Sequence, residues 1–405
     1  MLLLNSPTNV ADHGLAAPVL KSIAWPSSRG ITAKLRAMRL DELDYHLPSS
    51  QIAQRPLDRR DASRLLSLRC DTGEIGDYVF AQLPALLRGD ELLVLNNTRV
   101  IPARLFGRRL GAHSQRPSKA SRSEHLTGKI EVLLLRRPAP DTWEALVRPG
   151  RKLPKGERLL FGEGELEAEI LARGEFGLRT LQFVSRDERS VEQHIERLGH
   201  VPLPPYIDRD DEVADRERYQ TVFAKRPGAI AAPTAGLHFT PETLKHIQQR
   251  GVEICELTLD VGLGTFQPIH SETLEGHSMH TESYEIPEET ADRIYNARAA
   301  GRPILAVGTT VVRALEAAAL RAVESDSSRL LLAGEAEAQL FIFPGFRFRV
   351  VDALLTNFHL PRSTLLALVC ALAGRDRVLG AYRHAVDAGY RFYSYGDCML
   401  LSGSK

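Results

Sequence analysis

Between about Ala103 and Ser190 the chain carries only short runs of alternating apolar and polar residues, with no pattern long enough for a helix, and this limits what the chain can fold into. Lys129-Ile-Glu-Val-Leu-Leu-Leu135, Trp143-Glu-Ala-Leu-Val147 and Glu167-Ala-Glu-Ile-Leu171, punctuated by Gly and Pro, read as short strands at a spacing suited to a small antiparallel barrel. Within the same stretch, His113 to Leu126 is rich in Ser, Arg, Lys and His and reads as a disordered hairpin tip.

Both flanks follow a different rhythm. Arg64-Leu-Leu-Ser-Leu68 and Gly89-Asp-Glu-Leu-Leu-Val-Leu95 are strand-like, and the second delivers Asn96-Asn-Thr-Arg99 at its carboxyl end. After Ser190, helix and strand alternate: Thr240 to Arg250 with a Thr-Pro-Glu start, Gly251 to Leu259, Glu288 to Ala300, Arg302 to Val307, and Val311 to Val323. The expected architecture is an α/β main domain, residues 39–103 and 190–405, interrupted by an inserted all-β small barrel at 104–189. Residues 1–38 lack periodicity and are expected to be a disordered extension outside the fold or a mis-assigned start, with Met38 as the candidate true start; no charged segment leads into an apolar core, so a secretory signal is not expected.

Composition narrows the class further. Hydrophobic residues make up 43% and charged residues 25% of 405, the balance of a globular enzyme rather than of a disordered or fibrous chain. Cys70, Cys255, Cys370 and Cys398 are far apart and show no zinc spacing, so neither a disulfide framework nor a metal site is expected, and a reducing cytoplasm fits. The apolar run Thr364 to Ala373 is half the length a bilayer crossing needs and reads as a buried helix. The net charge of +1 conceals a basic stretch from Arg99 to Lys155 with 14 Lys and Arg against 4 Asp and Glu, which can hold phosphates or simply face solvent.

Several motifs can carry chemistry. Ala231-Ala-Pro-Thr-Ala-Gly-Leu-His-Phe239 places Thr234, Gly236 and His238 before the helix starting near Pro241, where free amides can bind an anion and an imidazole can exchange protons; a capped strand-to-helix turn has the same appearance. Leu259-Asp-Val-Gly-Leu-Gly-Thr-Phe266, with Gly262, Gly264 and Thr265, resembles a methyltransferase cofactor loop, but Phe266 replaces its third glycine and Pro268 follows. Ala306-Val-Gly-Thr-Thr-Val-Val-Arg313 offers Gly308 and the Thr309 and Thr310 hydroxyls at a helix start, with Arg313 one turn further on. Phe343-Pro-Gly-Phe346, Leu355-Thr-Asn-Phe-His-Leu-Pro361 and Tyr393-Ser-Tyr-Gly-Asp397 set aromatics, Tyr395 among them, beside Asn357, His359 and Asp397, an arrangement that can stack a base and read its edge.

In order, Asn96-Asn-Thr-Arg-Val-Ile-Pro-Ala-Arg104, Gly199-His-Val-Pro-Leu-Pro-Pro-Tyr-Ile-Asp208, Tyr219-Gln-Thr-Val-Phe223, Ala232 to Phe239, Gly262-Leu-Gly-Thr-Phe-Gln-Pro268, His277-Ser-Met-His280, Val307 to Thr310, Thr356 to Pro361 and Tyr393 to Asp397 resemble the S-adenosylmethionine:tRNA ribosyltransferase-isomerase family. The likeness runs from Arg39 to Leu401; the departures are the 37-residue extension and the longer loop at His113 to Leu126.

The resemblance implies an α/β domain interrupted by a β-barrel. It implies that S-adenosylmethionine, consumed as a co-substrate with no prosthetic group, gives its ribosyl part to 7-aminomethyl-7-deazaguanine at the tRNA wobble position. Epoxyqueuosine forms, and adenine and methionine leave. Such chemistry needs a base for the proton on the ribose carbon beside the sulfonium and a proton donor for adenine. His238, His280, His359 and Asp397 are the candidates, and Asn96, Asn97, Thr98, Arg99, Thr234, Gly236, Gly262, Gly264, Thr265, Gly308, Thr309, Thr310, Arg313, Asn357 and Tyr395 are the candidate binding residues. A cytoplasmic monomer without membrane contact is expected. A methyltransferase, resting on Leu259 to Thr265 alone, and a non-catalytic tRNA-binding module, resting on the basic stretch, are the competing readings.

Overall fold

The computed structural model describes residues 38–110, 128–150, 153–262, 273–277, 279 and 281–403. The first strands are β1 (Arg64–Arg69) and β2 (Ile75–Val79), followed by the single turn α1 (Leu83–Leu86), then β3 (Leu92–Asn96) and β4 (Thr98–Val100). Every residue of β3 is buried, as a run of Leu-Leu-Val-Leu demands: it can be satisfied only in a strand covered on both faces. The chain then leaves the sheet through β5 (Arg104–Arg109), β6 (Ile130–Ala139), β7 (Thr142–Arg148), β8 (Arg158–Phe161), β9 (Leu166–Arg173) and β10 (Leu178–Ser185). These six close into an antiparallel barrel in the order β10-β7-β6-β5-β8-β9. Strict alternation along β7 and β10 sends Trp143, Ala145, Val147, Leu181 and Phe183 into the barrel core and their neighbours outward.

Helix α2 (Val191–Leu198) starts at Ser190, whose hydroxyl accepts from the Gln193 N–H, and adds Val191 and Ile195 to the barrel core. The turn α3 (Asp215–Arg218) and strand β11 (Arg226–Ala229), which pairs in parallel with β4, lead back to the sheet. There α4 (Pro241–Gln249), β12 (Glu253–Leu259), β13 (Glu282–Ile286), α5 (Glu288–Ala299), β14 (Ile304–Val307), α6 (Thr309–Glu324), β15 (Gly334–Ala338), β16 (Ala353–Asn357), α7 (Thr364–Ala373), α8 (Arg375–Asp387) and β17 (Cys398–Ser402) follow. The apolar run at Thr364 to Ala373 is indeed a buried helix, α7, with the Ser363 hydroxyl capping its Leu366 N–H.

Nine strands make one mixed sheet, ordered β15-β13-β12-β3-β14-β16-β17-β1-β2. The outer strand β15 reads Gly-Glu-Ala-Glu-Ala, and its exposed carboxylates discourage pairing with another edge. Successive residues feed opposite layers: Leu66, Val94, Ala306 and Leu354 pack under α5 to α8, while Leu65, Leu93, Leu305 and Leu355 pack against α1 and α4. The expected α/β domain with an inserted barrel is therefore the observed architecture. Met38, assigned above to the extension, is tied into the fold: its carbonyl accepts from the Leu274 N–H at 3.1 Å. The hairpin tip at His113 to Leu126 and residues 1–37 lie outside the described residues.

Candidate functional site

Strands β12, β3, β14 and β16 run parallel, so Leu259, Asn96, Val307 and Asn357 end at one edge of the sheet. Ligands of open α/β sheets gather outside such carboxyl ends, because helix amino termini and loop amides converge there. A cleft of about 740 Å³ opens at this edge. One side is the loop after β14 and the start of α6; Gly308 sits at φ +91° and ψ 151°, a region open essentially to glycine, and no side chain caps the helix. Thr309 and Thr310 follow, both nearly buried, with their hydroxyl-bearing first turn facing the cleft. The opposite side is the 3-10 turn Thr234–His238.

The segment after β16 supplies Thr356, Asn357 and His359. The His359 Nε2 lies 2.9 Å from the Thr356 hydroxyl. Its backbone is pinned on both sides, the N–H donating to the Tyr382 hydroxyl at 3.0 Å and the carbonyl accepting from the Tyr45 hydroxyl at 2.5 Å. Burial pushes the His359 imidazole down to about 3, so the ring is neutral near pH 7. Asn357 donates to the Tyr393 carbonyl at 2.9 Å, which fixes the orientation of its amide. Tyr393, at φ +70°, stacks on Tyr206 with ring centroids 4.4 Å apart, and the Tyr206 hydroxyl lies 2.6 Å from that of Ser394. Among the described lining residues His359 carries the one imidazole, and no carboxylate faces the cleft.

His238 stands behind Asn357 rather than in the cleft. Its Nδ1 lies 2.7 Å from the Ser63 hydroxyl and its ring packs on Phe80. Its Nε2 and the Asn357 Oδ1 are both buried without a hydrogen bond inside 3.5 Å. Burial pushes His238 down to about 4; the nearby Asn357 amide opposes that shift, and the Arg60 and Arg391 charges reinforce it.

Of the residues singled out in the sequence, the cleft brings together Thr234, Gly308, Thr309, Thr310, Asn357 and His359. Asp397 is elsewhere: its two oxygens accept from the Arg64 and Arg391 backbone N–H groups, each at 2.8 Å, so it clamps β1 to the preceding turn. Burial raises its carboxyl above the ordinary range, against the pull of those two amides. The Tyr395 hydroxyl donates to Asp215, itself paired with Arg209.

Asn96 spends its amide on the Leu259 carbonyl and N–H, fastening β3 to β12. Asn97 bonds Glu256 and Thr258, Thr98 donates to Asp260, and Arg99 is exposed. Arg313 is buried in an ion pair with Glu282, whose other oxygen accepts from the Gly262 N–H. Gly236 is a packing glycine, since a Cβ there would stand 2.7 Å from Phe223 and Thr221. His280, Gly264 and Thr265 lie outside the described residues.

Sequence reasoning missed Tyr206, Thr356, Tyr393 and Ser394 as lining residues, although each sits inside a motif quoted above; an aromatic or hydroxyl flanked by Pro, Gly and Asn was the available signal.

A protein-family model described as "Queuosine biosynthesis protein" matches residues 40–401. The chain belongs to this family. Among its relatives is the S-adenosylmethionine:tRNA ribosyltransferase-isomerase of Solibacter usitatus (strain Ellin6076), 53% identical over 368 residues that cover 90% of this chain and 100% of the relative. The protein of the same name from Moorella thermoacetica (strain ATCC 39073 / JCM 9320) is 50% identical over 364 residues, with 90% and 100% covered. A crystal structure of S-adenosylmethionine tRNA ribosyltransferase from Thermotoga maritima is 37% identical, covers 89% of this chain and 99% of its own, and aligns with a TM-score of 0.46. Within the family member's described residues, no helix is long and apolar enough to cross a membrane, and no group of three His, Cys, Asp or Glu is placed to hold a metal.

Proposed function

We propose that this family member transfers and isomerises the ribosyl part of S-adenosylmethionine onto 7-aminomethyl-7-deazaguanine at the tRNA wobble position, releasing adenine and methionine and leaving epoxyqueuosine. The observation that carries the reading is identity of 53% and 50% along the whole length of relatives bearing the name of that enzyme.

The cleft supports it physically. Its described lining mixes hydroxyls, one amide, one imidazole and aromatic faces without a carboxylate. The Tyr206 and Tyr393 rings offer a stacking surface for a base and a π face for the sulfonium charge. Thr309, Thr310 and the first-turn amides of α6 are, on this reading, the partners of the polar groups of the ribose or the methionyl arm.

The positive sulfonium acidifies the ribose carbon beside it, and among the described lining residues His359 is the imidazole to which we assign that proton. Its ring is neutral near pH 7 and is held by the Thr356 hydroxyl; burial also makes it a weak base, so the transfer depends on the acidity that the sulfonium gives the ribose carbon. On this reading Asn357 faces a nucleobase edge, with one amide N–H held by the Tyr393 carbonyl and the other left for the base. The proton for the departing adenine belongs to the same cleft, where the Ser394 and Tyr393 hydroxyls stand. The protein works on this reading as a cytoplasmic monomer, to be checked by sedimentation equilibrium.

Incubation with S-adenosylmethionine and tRNA bearing the aminomethyl base is expected to yield adenine and methionine in equal amounts. Formation of S-adenosylhomocysteine would instead establish the methyltransferase reading, and tight tRNA binding without turnover would establish a binding module.

A further inference from the structure

Next to the cleft, and sharing Ser394 with it, is a second chamber of about 310 Å³ lined by Ser63, His238, Arg60 and Arg218. His238 forms the partition: its Nδ1 side touches Ser63 of the chamber, while its Nε2 side is turned toward Asn357 of the cleft.

The charges around this chamber are unbalanced. Arg60 spends its terminal nitrogens on the backbone carbonyls of Gln220, Leu237 and Glu217, at 2.8, 3.2 and 2.8 Å. Arg218 holds the carbonyls of Asp58 and Leu57 at 3.0 and 2.5 Å, and its Nε is buried with no partner. Arg391, just behind, donates to the Arg55 carbonyl, and its Nη1 is likewise buried and unpartnered. Backbone carbonyls orient a guanidinium but do not neutralise it. The neighbouring arginines do have counter-charges: Arg55 pairs with Glu212 at 2.6 Å, Arg59 with Asp61 at 3.0 Å and Arg209 with Asp215 at 2.6 Å.

Among the described residues no carboxylate lines the chamber, and Glu217, the acidic group that acts on Arg60, is exposed. Arg391 has the Asp397 carboxylate acting on it, but Arg60 and Arg218, half-buried and held by carbonyls, have no carboxylate in the chamber; such cations are costly unless an anion arrives, and planar guanidinium groups match phosphate oxygens.

We propose that this chamber is a phosphate subsite that takes the phosphodiester flanking the nucleotide whose base enters the cleft, with Arg60 and Arg218 supplying the charge. The assignment to RNA rests on the proposed function. A phosphate held here fixes the register of the loop, so that the neighbouring base, and not another, reaches Asn357 and His359.

The test uses the full chain, an anticodon stem-loop carrying the modified base, and the variant Arg60→Gln/Arg218→Gln. The slope of log Kd against log salt is expected to fall by about 0.7 for the lost phosphate contact, while affinity for S-adenosylmethionine stays unchanged. A single neutral methylphosphonate at the flanking linkage is expected to weaken wild-type binding about tenfold and to alter the double variant less than about twofold, the non-additivity of two groups in one contact. Arg60→Lys/Arg218→Lys keeps the charge but loses the forked backbone bonds, and it is expected to restore the slope.

An unchanged slope in the Gln variant, fully additive losses, or equal losses in the Lys and Gln variants would overturn the subsite. Competition by inorganic phosphate, with the methylphosphonate RNA binding as tightly as the native one, would overturn the RNA assignment by making free phosphate the occupant. A shifted slope without adenine release would overturn the proposed activity and leave the subsite standing.

Discussion

His238 and His359 are 4% and 8% exposed and pushed down to about 4 and about 3, far below the ordinary imidazole value near 6.5. Below about pH 6.5 the unfolded chain binds protons that the folded chain refuses, so stability falls with pH until the folded values are reached; above it neither ring contributes. For His238 alone the loss between pH 7 and 5 is about 2 kcal/mol. Urea unfolding at both pH values is expected to show a His238→Asn variant losing less stability than wild type over this interval, and an equal loss would mean the ring is protonated in the fold. Asp397 calls for a different experiment. Its replacement by alanine strands the Arg64 and Arg391 amides and is expected to cost on the order of 3 kcal/mol, seen as a lowered Tm. A variant that melts like wild type yet is inactive would return Asp397 to the chemistry.

The turn Tyr393–Gly396 is the element that shapes one side of the cleft. Tyr393 sits in left-handed backbone, and the Gly396 N–H donates to the Tyr393 carbonyl at 2.9 Å. A Cβ on Gly396 would stand 2.5 Å from the Arg391 carbonyl oxygen, closer than atoms pack. Gly396→Ala is therefore expected to open the turn, at about 2 kcal/mol or more, and to raise KM for S-adenosylmethionine at least about tenfold by displacing Tyr393 and Ser394. Calorimetry and initial rates check both halves; unchanged KM in a destabilised variant would separate the turn from the site. The helices and strands themselves were largely readable. Thr240 and Ser363 cap α4 and α7 through their hydroxyls, and the buried runs of β3, β14 and β16 carry their hydrophobic pattern openly.

At the scale of the whole molecule, the basic stretch from Arg99 to Lys155 is less free than its count indicates. Arg104 pairs with Glu131, Arg136 with Glu144, Arg137 with Glu192, and Arg109 with Glu157, which is fully buried in the barrel. Arg109→Glu is expected to set two carboxylates together and cost about 3–5 kcal/mol, whereas Arg108→Glu, on the exposed surface, is expected to change stability by less than about 0.5 kcal/mol and only to weaken tRNA binding. Thermal melts of the two variants beside filter binding decide this; equal Tm values would show the Arg109 pair to be dispensable.

What the sequence determined by itself was the order of layers and the family. Hydrophobic period is a local property, so a change from alternating to helical spacing marks the barrel and the sheet without knowledge of contacts. Burial and partnership are not local, and only the tertiary structure decided them. Asp397 meets Arg64 across 333 residues, and Ser63 meets His238 across 175. Arg60 and Arg218 are cations like any others in the sequence, until folding sets them on one chamber and pairs nearby carboxylates such as Glu212 and Asp61 with other arginines. The charge on a side chain is written in its residue type; whether that charge is cancelled depends on which distant segment the fold lays beside it.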